Sequence, residues 1–355
     1  MTPKGADVGA VRDEDRFDAE AVDAWLRANA TDFAPTGLPE IQQFSKGASN
    51  LTYQLTYPEL QLILRRPPAG AKIASAHDMG REFRVQRALK PTFPSVPEMV
   101  ALCTDESVIG ADFYVMQKLE GTILRSTIPP DLGLTPDGLG DLCRSFIDNL
   151  VTLHAVDPTQ PGLAEIGRGE GYVARQVAGW SKRYRAAKTW NVPSFEKVMR
   201  WLDAHQPADV KNCVIHNDYR LDNVVLAPDD PSRIVGVLDW EMATLGDPLM
   251  DLGGALAYWI EAGDSGAMQW MRRQPTHAPG MLTRDEVVRY YGEQSGLAID
   301  DWRFYEVFGL FRLAVIIQQI YRRYHLGQTT NPTFKRYWVA VNYFDFRCRR
   351  LIRGT

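Results

Sequence analysis

Residues 216–223 read His216-Asn217-Asp218-Tyr219-Arg220-Leu221-Asp222-Asn223, and Asp239 follows a short apolar run, Ile234-Val235-Gly236-Val237-Leu238. Asn and Asp are common turn residues, and a plain turn is the ordinary reading of such a composition. The spacing asks for more. Asp218 and Asn223 stand five residues apart on one loop, so both side chains can point into one cavity. Asp239 closes a run with the character of a buried strand, which presents its carboxylate at a strand end. A phosphoryl-transfer site needs a carboxylate near the attacking hydroxyl and hard oxygen donors for Mg²⁺ close by. Asp218, Asn223 and Asp239 supply those groups.

The flanking sequence predicts where this loop sits. Upstream, β-prone runs at 51–56 and 62–65 are separated by a turn at Pro58-Glu59. Residues 78–90, DMGREFRVQRALK, place Met79, Phe83 and Leu89 in helical phase, and apolar runs at 97–103 and 111–118 read as a strand pair. Strands around one helix predict a small lobe over 36–117. It is preceded by residues 1–35, a polar stretch expected to be mobile through residue 16 and then a helix over 17–29. Beyond Gly121 the character changes. Thr135-Pro136-Asp137 is a helix start, and Leu139, Leu142, Phe146, Leu150 and Leu153 follow on one face. Further helical patterns cover 172–187, 195–205, 284–295 and 301–325, with strand-like runs at 223–226 and 234–238. The expected class is α+β: a small β-rich lobe, then a larger, mostly helical lobe over 118–355.

Residues 216–223 resemble the catalytic loop of the aminoglycoside phosphotransferase and choline kinase group, relatives of the protein kinases. The kinase pattern HRDxxxxN stands here as HNDYRLDN, and DFG as Asp239-Trp240-Glu241. The resemblance implies a two-lobed protein-kinase-like fold, ATP and Mg²⁺, Asp218 as catalytic base, Asn223 and Asp239 as metal ligands, and His216 as a brace of the loop. It extends over most of the chain. Residues 44–50, FSKGASN, occupy the place of a phosphate-covering loop, where small residues let backbone N–H groups approach phosphate. Ser49 and Asn50 are nucleotide candidates there; a hairpin turn is the other use of a single glycine. In Leu62-Ile63-Leu64-Arg65-Arg66, Arg65 takes the place of the kinase strand lysine, and Glu82 supplies the helix acid. Arginine is a planar fork rather than a point charge, and a surface Arg–Glu pair is the alternative. Residues 114–121, YVMQKLEG, match the hinge, with Met116, Gln117 and Leu119 at the adenine site. In 246–252, GDPLMDL, Asp251 is expected to order the catalytic loop, and Asp247 to cap the following helix.

Within the group, Asn50-Leu51-Thr52-Tyr53, Leu64-Arg65-Arg66-Pro67-Pro68 and residues 76–82, AHDMGRE, resemble the kinase-like domain fused to, or encoded near, acyl-CoA dehydrogenases. The dehydrogenase part has no counterpart in these residues, so flavin chemistry and acyl-CoA oxidation are not implied. Phosphorylation of hydroxyl groups on hydroxyacyl-CoA thioesters is.

Composition narrows the remaining classes. Of 355 residues, 45% are hydrophobic and 24% charged, which excludes a disordered, collagen-like or coiled-coil chain. Cys103, Cys143, Cys213 and Cys348 lie far apart, so no disulfide framework or zinc site is expected, and a reduced cytoplasmic setting is. The first twenty residues lack an apolar core and the longest uncharged apolar run spans nine, 252–260; neither a secretory signal nor a membrane span is expected. A net charge of −4 argues against a nucleic-acid partner. Residues 256–355 nonetheless carry 14 Lys+Arg against 9 Asp+Glu, a net +5. Helix arginines ordinarily snorkel at the surface. Here Arg312 and Arg322 are also candidates for holding an anionic hydroxyl acceptor. A nucleotide-binding pseudokinase and an aminoglycoside kinase stand as alternatives.

Overall fold

The computed structural model describes residues 8–31, 33–45, 50–68 and 78–354. They fall into two compact units, Met1–Glu120 with Gly236–Glu241, and Gly121–Val235 with Met242–Thr355. One is a small β-sheet unit and the other mostly helical, as in a two-lobed kinase-like fold.

The first unit is built on a six-stranded antiparallel sheet of β1 (Val8–Gly9), β2 (Glu40–Phe44), β3 (Leu51–Thr56), β4 (Gln61–Arg66), β5 (Met99–Cys103) and β6 (Phe113–Gln117), in the order β1-β2-β3-β4-β6-β5. Strand residues alternate between faces, and β4 shows the consequence. Leu62 and Leu64 pack with Val22 and Leu26 of α1 (Ala19–Asn29), whereas Ile63 packs with Met79 and Phe83 of α2 (Met79–Leu89). Arg65 shares the parity of Ile63 and so faces α2. Arg66 faces the other way, donating from Nη2 to the carbonyl of Asp15 at 2.6 Å.

Residues 8–16 correct the expectation of a mobile tail. Val8 pairs with Phe44, and the N–H of Arg12 bonds to Gln43 Oε1 at 3.0 Å. Asp15 is buried and accepts from Gln43 Nε2 at 2.8 Å. Polarity was misleading because these side chains make internal hydrogen bonds.

The second unit contains α3 (Pro136–Ala155), α4 (Tyr172–Ala187), α5 (Glu196–Ala204), β7 (Cys213–Ile215), β8 (Val224–Leu226), β9 (Ile234–Val237), β10 (Thr244–Gly246), α6 (Pro248–Leu256), α7 (Gly266–Trp270), α8 (Arg284–Ser295), α9 (Arg303–His325) and α10 (Tyr337–Arg353). The last residues of β9 belong to the first unit. β7 pairs with β10, Thr244 opposite Ile215, which fixes the strand leading into His216. α9 is the central helix and packs on α4, α6 and α10, with Phe304, Phe308 and Phe311 buried. It crosses α6 at glycines: a Cβ at Gly309 would lie 2.2 Å from the carbonyl oxygen of Gly253. By length and composition α9 could cross a membrane, but 72% of its apolar window is buried inside the protein.

Candidate active site

β7 ends at Ile215, and the chain enters the 216–223 loop against Asp251 on α6. Asp247 caps that helix, accepting the N–H groups of Leu249 and Met250 at 2.9 and 3.0 Å. One turn on, Asp251 accepts the N–H of His216 on Oδ2 at 2.8 Å and that of Asn217 on Oδ1 at 2.7 Å. His154 Nε2 lies 3.2 Å from Oδ2, and Tyr291 holds the other ring nitrogen at 2.7 Å. Burial alone would raise the Asp251 carboxyl; His154 and the donors around it more than offset this, and it lies below the ordinary carboxylate range. His216 is fully buried, and its Nδ1 accepts the N–H of Asp218 at 3.2 Å.

Asn217 takes a left-handed φ of 65°, a conformation that costs an L-residue on the order of 1 kcal/mol. Besides the bond to Asp251, its Oδ1 accepts from Tyr172 Oη at 2.9 Å and its Nδ2 donates to the Met242 carbonyl at 3.1 Å. Its carbonyl accepts from Arg312 Nη2 at 2.5 Å.

Asp218 is held on both oxygens. Arg220 Nε lies 2.9 Å from Oδ1, and its Nη2 donates to Oδ2 at 3.0 Å. The same guanidinium lies 4.8 Å over the ring of Tyr258 and 3.4 Å from Asp222. Burial would lower the pKa of Arg220, but Asp218 and Asp222 raise it beyond its ordinary value. Burial pushes the Asp222 carboxyl up, and Arg220 pulls it back. Asn223 closes a single 3₁₀ turn, Leu221–Asn223; its Nδ2 donates to the Asp218 carbonyl at 2.9 Å and to Oδ2 at 3.0 Å. With the amide hydrogens donated to Asp218, Oδ1 is the oxygen Asn223 could offer to a cation. As a hard oxygen donor it suits Mg²⁺.

In the first unit, Arg65 Nη1 donates to Glu82 and lies 3.4 Å from the Tyr114 hydroxyl, while Nη2 reaches Asp239 Oδ1 at 3.1 Å. Side-chain exposures of 11% for Arg65 and 2% for Glu82 settle that this is no surface pair. Asp239, like Asn217, takes a left-handed conformation, φ 68°. Its carboxylate is 34% exposed, and Oδ2 is a second hard oxygen of the kind Mg²⁺ takes. Asn50 is buried and its Nδ2 donates to Glu241 at 3.3 Å. Met116 packs with Ile63, Met79 and Phe83; Gln117 is exposed and Leu119 half-buried. Ser49 lies outside the described residues. Arg322 is exposed in the last turn of α9, about 15 Å along the helix from Arg312 at 1.5 Å per residue. Sequence reasoning passed over Arg220, Tyr172 and His154. Arg220 alone left a signal, as a cation inside the loop between Asp218 and Asn223.

A profile of the phosphotransferase enzyme family matches residues 40–307. The chain belongs to that family. A crystal structure from Ralstonia eutropha JMP134, provisionally named an aminoglycoside phosphotransferase, is 32% identical with a TM-score of 0.82, covering 96% of this chain and 99% of the other. Choline kinase from Cryptosporidium parvum Iowa II superimposes with a TM-score of 0.64 over 95% of this chain and 97% of the other; at 11% identity that likeness speaks for the fold. Acyl-CoA dehydrogenase family member 10 of Mus musculus is 37% identical over 84% of this chain and 28% of its own length. Member 11 of Homo sapiens is 32% identical over 92% of this chain and 42% of its own length. The chain thus spans less than half the length of these relatives.

Proposed function

We propose that the chain transfers the γ-phosphoryl group of ATP to a hydroxyl of an anionic small molecule, and that hydroxyacyl-CoA thioesters are the acceptor class. The observation that carries the reading is the loop carboxylate of Asp218, oriented by Arg220 on both oxygens and by Asn223 on one. Asp218 accepts the proton of the acceptor hydroxyl as that oxygen bonds to the γ-phosphorus and the bond to the ADP oxygen breaks. Asn223 through Oδ1 and Asp239 through Oδ2 would hold Mg²⁺, which offsets phosphate charge when bound. Arg65, oriented by Glu82, would add a forked cation for phosphate oxygens. Residues 36–117 would carry the nucleotide phosphates, with Ser49, Asn50, Met116, Gln117 and Leu119 near the nucleotide. Residues 118–355 would carry catalysis and the acceptor.

Charge and kinship support the acceptor class. The final hundred residues are net +5, from 14 Lys+Arg less 9 Asp+Glu, and Arg322 is an exposed cation on α9. The names of the relatives, acyl-CoA dehydrogenases, support an acceptor that is itself a CoA thioester. The likeness to the Ralstonia protein gives the second reading, an aminoglycoside acceptor; a polycation prefers acidic surroundings. The experiment is phosphoryl transfer from Mg·ATP to hydroxyacyl-CoA thioesters, sugars, amino alcohols and kanamycin at low and high salt. Transfer to the thioesters, with affinity falling as salt rises, is expected. Efficient transfer to kanamycin and none to thioesters refutes the acceptor class.

A further inference from the structure

We propose that Arg312 is a positioning residue of the catalytic loop: by holding the Asn217 carbonyl it sets the Asn217–Asp218 peptide and so the direction of the Asp218 carboxylate. The proposal rests on the reading of Asp218 as the catalytic base.

Asn217 stands at φ 65°, where an L-residue is sterically disfavoured and glycine is not. A loop residue in such a conformation persists only if its surroundings over-determine it. Here each polar atom of Asn217 is engaged: N–H by Asp251 at 2.7 Å, Oδ1 by Tyr172 at 2.9 Å, Nδ2 by the Met242 carbonyl at 3.1 Å, and the carbonyl by Arg312 at 2.5 Å. Three of these bonds fix the side chain or the preceding peptide. The fourth acts on the peptide that joins Asn217 to Asp218. Rotation of that peptide would turn the Asp218 N–H away from His216 Nδ1, where it now lies at 3.2 Å, and the carboxylate away from Asn223.

Arg312 is built into the protein for a fixed contact. It lies in the middle of α9 with only 7% of its surface exposed. Its guanidinium lies 5.4 Å over the ring of Trp180. On the neighbouring helix Gly254 leaves the space it fills, since a Cβ there would come within 2.8 Å of Nη1. A buried cation on a neutral carbonyl makes a charge-assisted bond with a defined direction. With Nη2 spent on the loop, Arg312 acts on the reaction through Asp218 rather than as a contact of the acceptor.

The test uses the full chain with Arg312→Gln, Arg312→Lys and Gly254→Ala, each alone and combined with Asn217→Gly. Two readouts are taken: the crystal structure of each variant, and kcat and KM for 3-hydroxybutyryl-CoA with Mg·ATP. Arg312→Gln should move the 217–218 peptide and lower kcat by about 10- to 100-fold, the cost of a misplaced catalytic group, with both KM values little changed. Arg312→Lys should fall between. Asn217→Gly relieves the steric cost of the left-handed conformation but gives up the Tyr172 and Met242 bonds, so it should not restore the lost kcat in full. A raised acceptor KM with kcat retained would instead make Arg312 an acceptor ligand and overturn the proposal. So would a loss of kcat in Arg312→Gln with the 217–218 peptide unmoved. If Arg312→Gln does not fold, Gly254→Ala displaces the guanidinium while keeping it, and is read the same way. If the native chain does not phosphorylate the thioester, the proposed acceptor is wrong, and the structures decide on Arg312: an unmoved peptide in Arg312→Gln overturns it.

Discussion

Replacing Arg65 with Met tests the buried charge cluster of the first unit. Arg65 and Glu82 have side-chain exposures of 11% and 2%, whereas Asp239 is 34% exposed. After Arg65→Met, Asp239 regains water and adds little to the cost. Glu82 does not. It keeps only neutral partners, the Tyr114 hydroxyl and the Trp240 backbone. Breaking a buried pair by removing one partner costs about 3–5 kcal/mol, and the surviving neutral hydrogen bonds place this site at about 3 kcal/mol, the lower end of that range. The loss depends on pH. Burial already pushes the Glu82 carboxyl above its ordinary range, with Arg65 pulling it back; without Arg65 it rises further. A carboxyl raised in the folded state favours folding below its unfolded pKa, and that contribution is lost as pH rises through the folded value. Arg65→Met should therefore cost least near pH 5 and most near pH 8. Adding Glu82→Gln should recover much of the stability and flatten the pH dependence. Urea unfolding across that range measures both. A loss at pH 8 below about 1 kcal/mol, the worth of an exposed ion pair, refutes the reasoning, and so does a loss independent of pH.

Asp251→Asn should destabilise the second unit by about 3 kcal/mol at neutral pH, because a buried carboxylate with His154 and two backbone N–H donors is replaced by a group with one acceptor oxygen. The Asp251 carboxyl is lowered on folding, so its contribution is present above the unfolded pKa and fades as pH falls through the folded one; urea unfolding should show variant and native chain converging in acid. Gly121→Ala should cost more than about 2 kcal/mol in thermal unfolding, since φ there is 146° and a Cβ would lie 2.0 Å from the Leu226 carbonyl oxygen.

Most of the fold was legible because its elements carry a period. The helices at Tyr172–Ala187 and Arg284–Ser295 fall on the expected residues, and the strands at Leu51–Thr56, Met99–Cys103 and Phe113–Gln117 lie within theirs. The elements that escaped notice, wholly or in part, lack one. Pro248–Leu256 was legible only from its cap, Asp247, because all nine of its residues are buried and no polar face marks a helix. Cys213–Ile215 and Thr244–Gly246 are three residues each, too short to alternate visibly. In Tyr337–Arg353 exposed Trp338, Val339 and Phe346 blur the apolar stripe. That Asp218 and Asn223 meet was legible from their spacing on one loop. The supports were not. Tyr172, His154 and Arg312 lie 45, 63 and 95 positions from Asn217 or its neighbour His216 along the chain, and only folding brings them together.

The central claim is phosphoryl transfer with Asp218 as base, and Asp218→Asn tests it most directly. Steady-state transfer from Mg·ATP to the acceptor found by screening should fall by roughly 10²–10⁴-fold, the usual worth of general-base assistance, while calorimetric ATP affinity and the unfolding transition stay close to native. Turnover at the native rate by a folded Asp218→Asn protein would contradict the account.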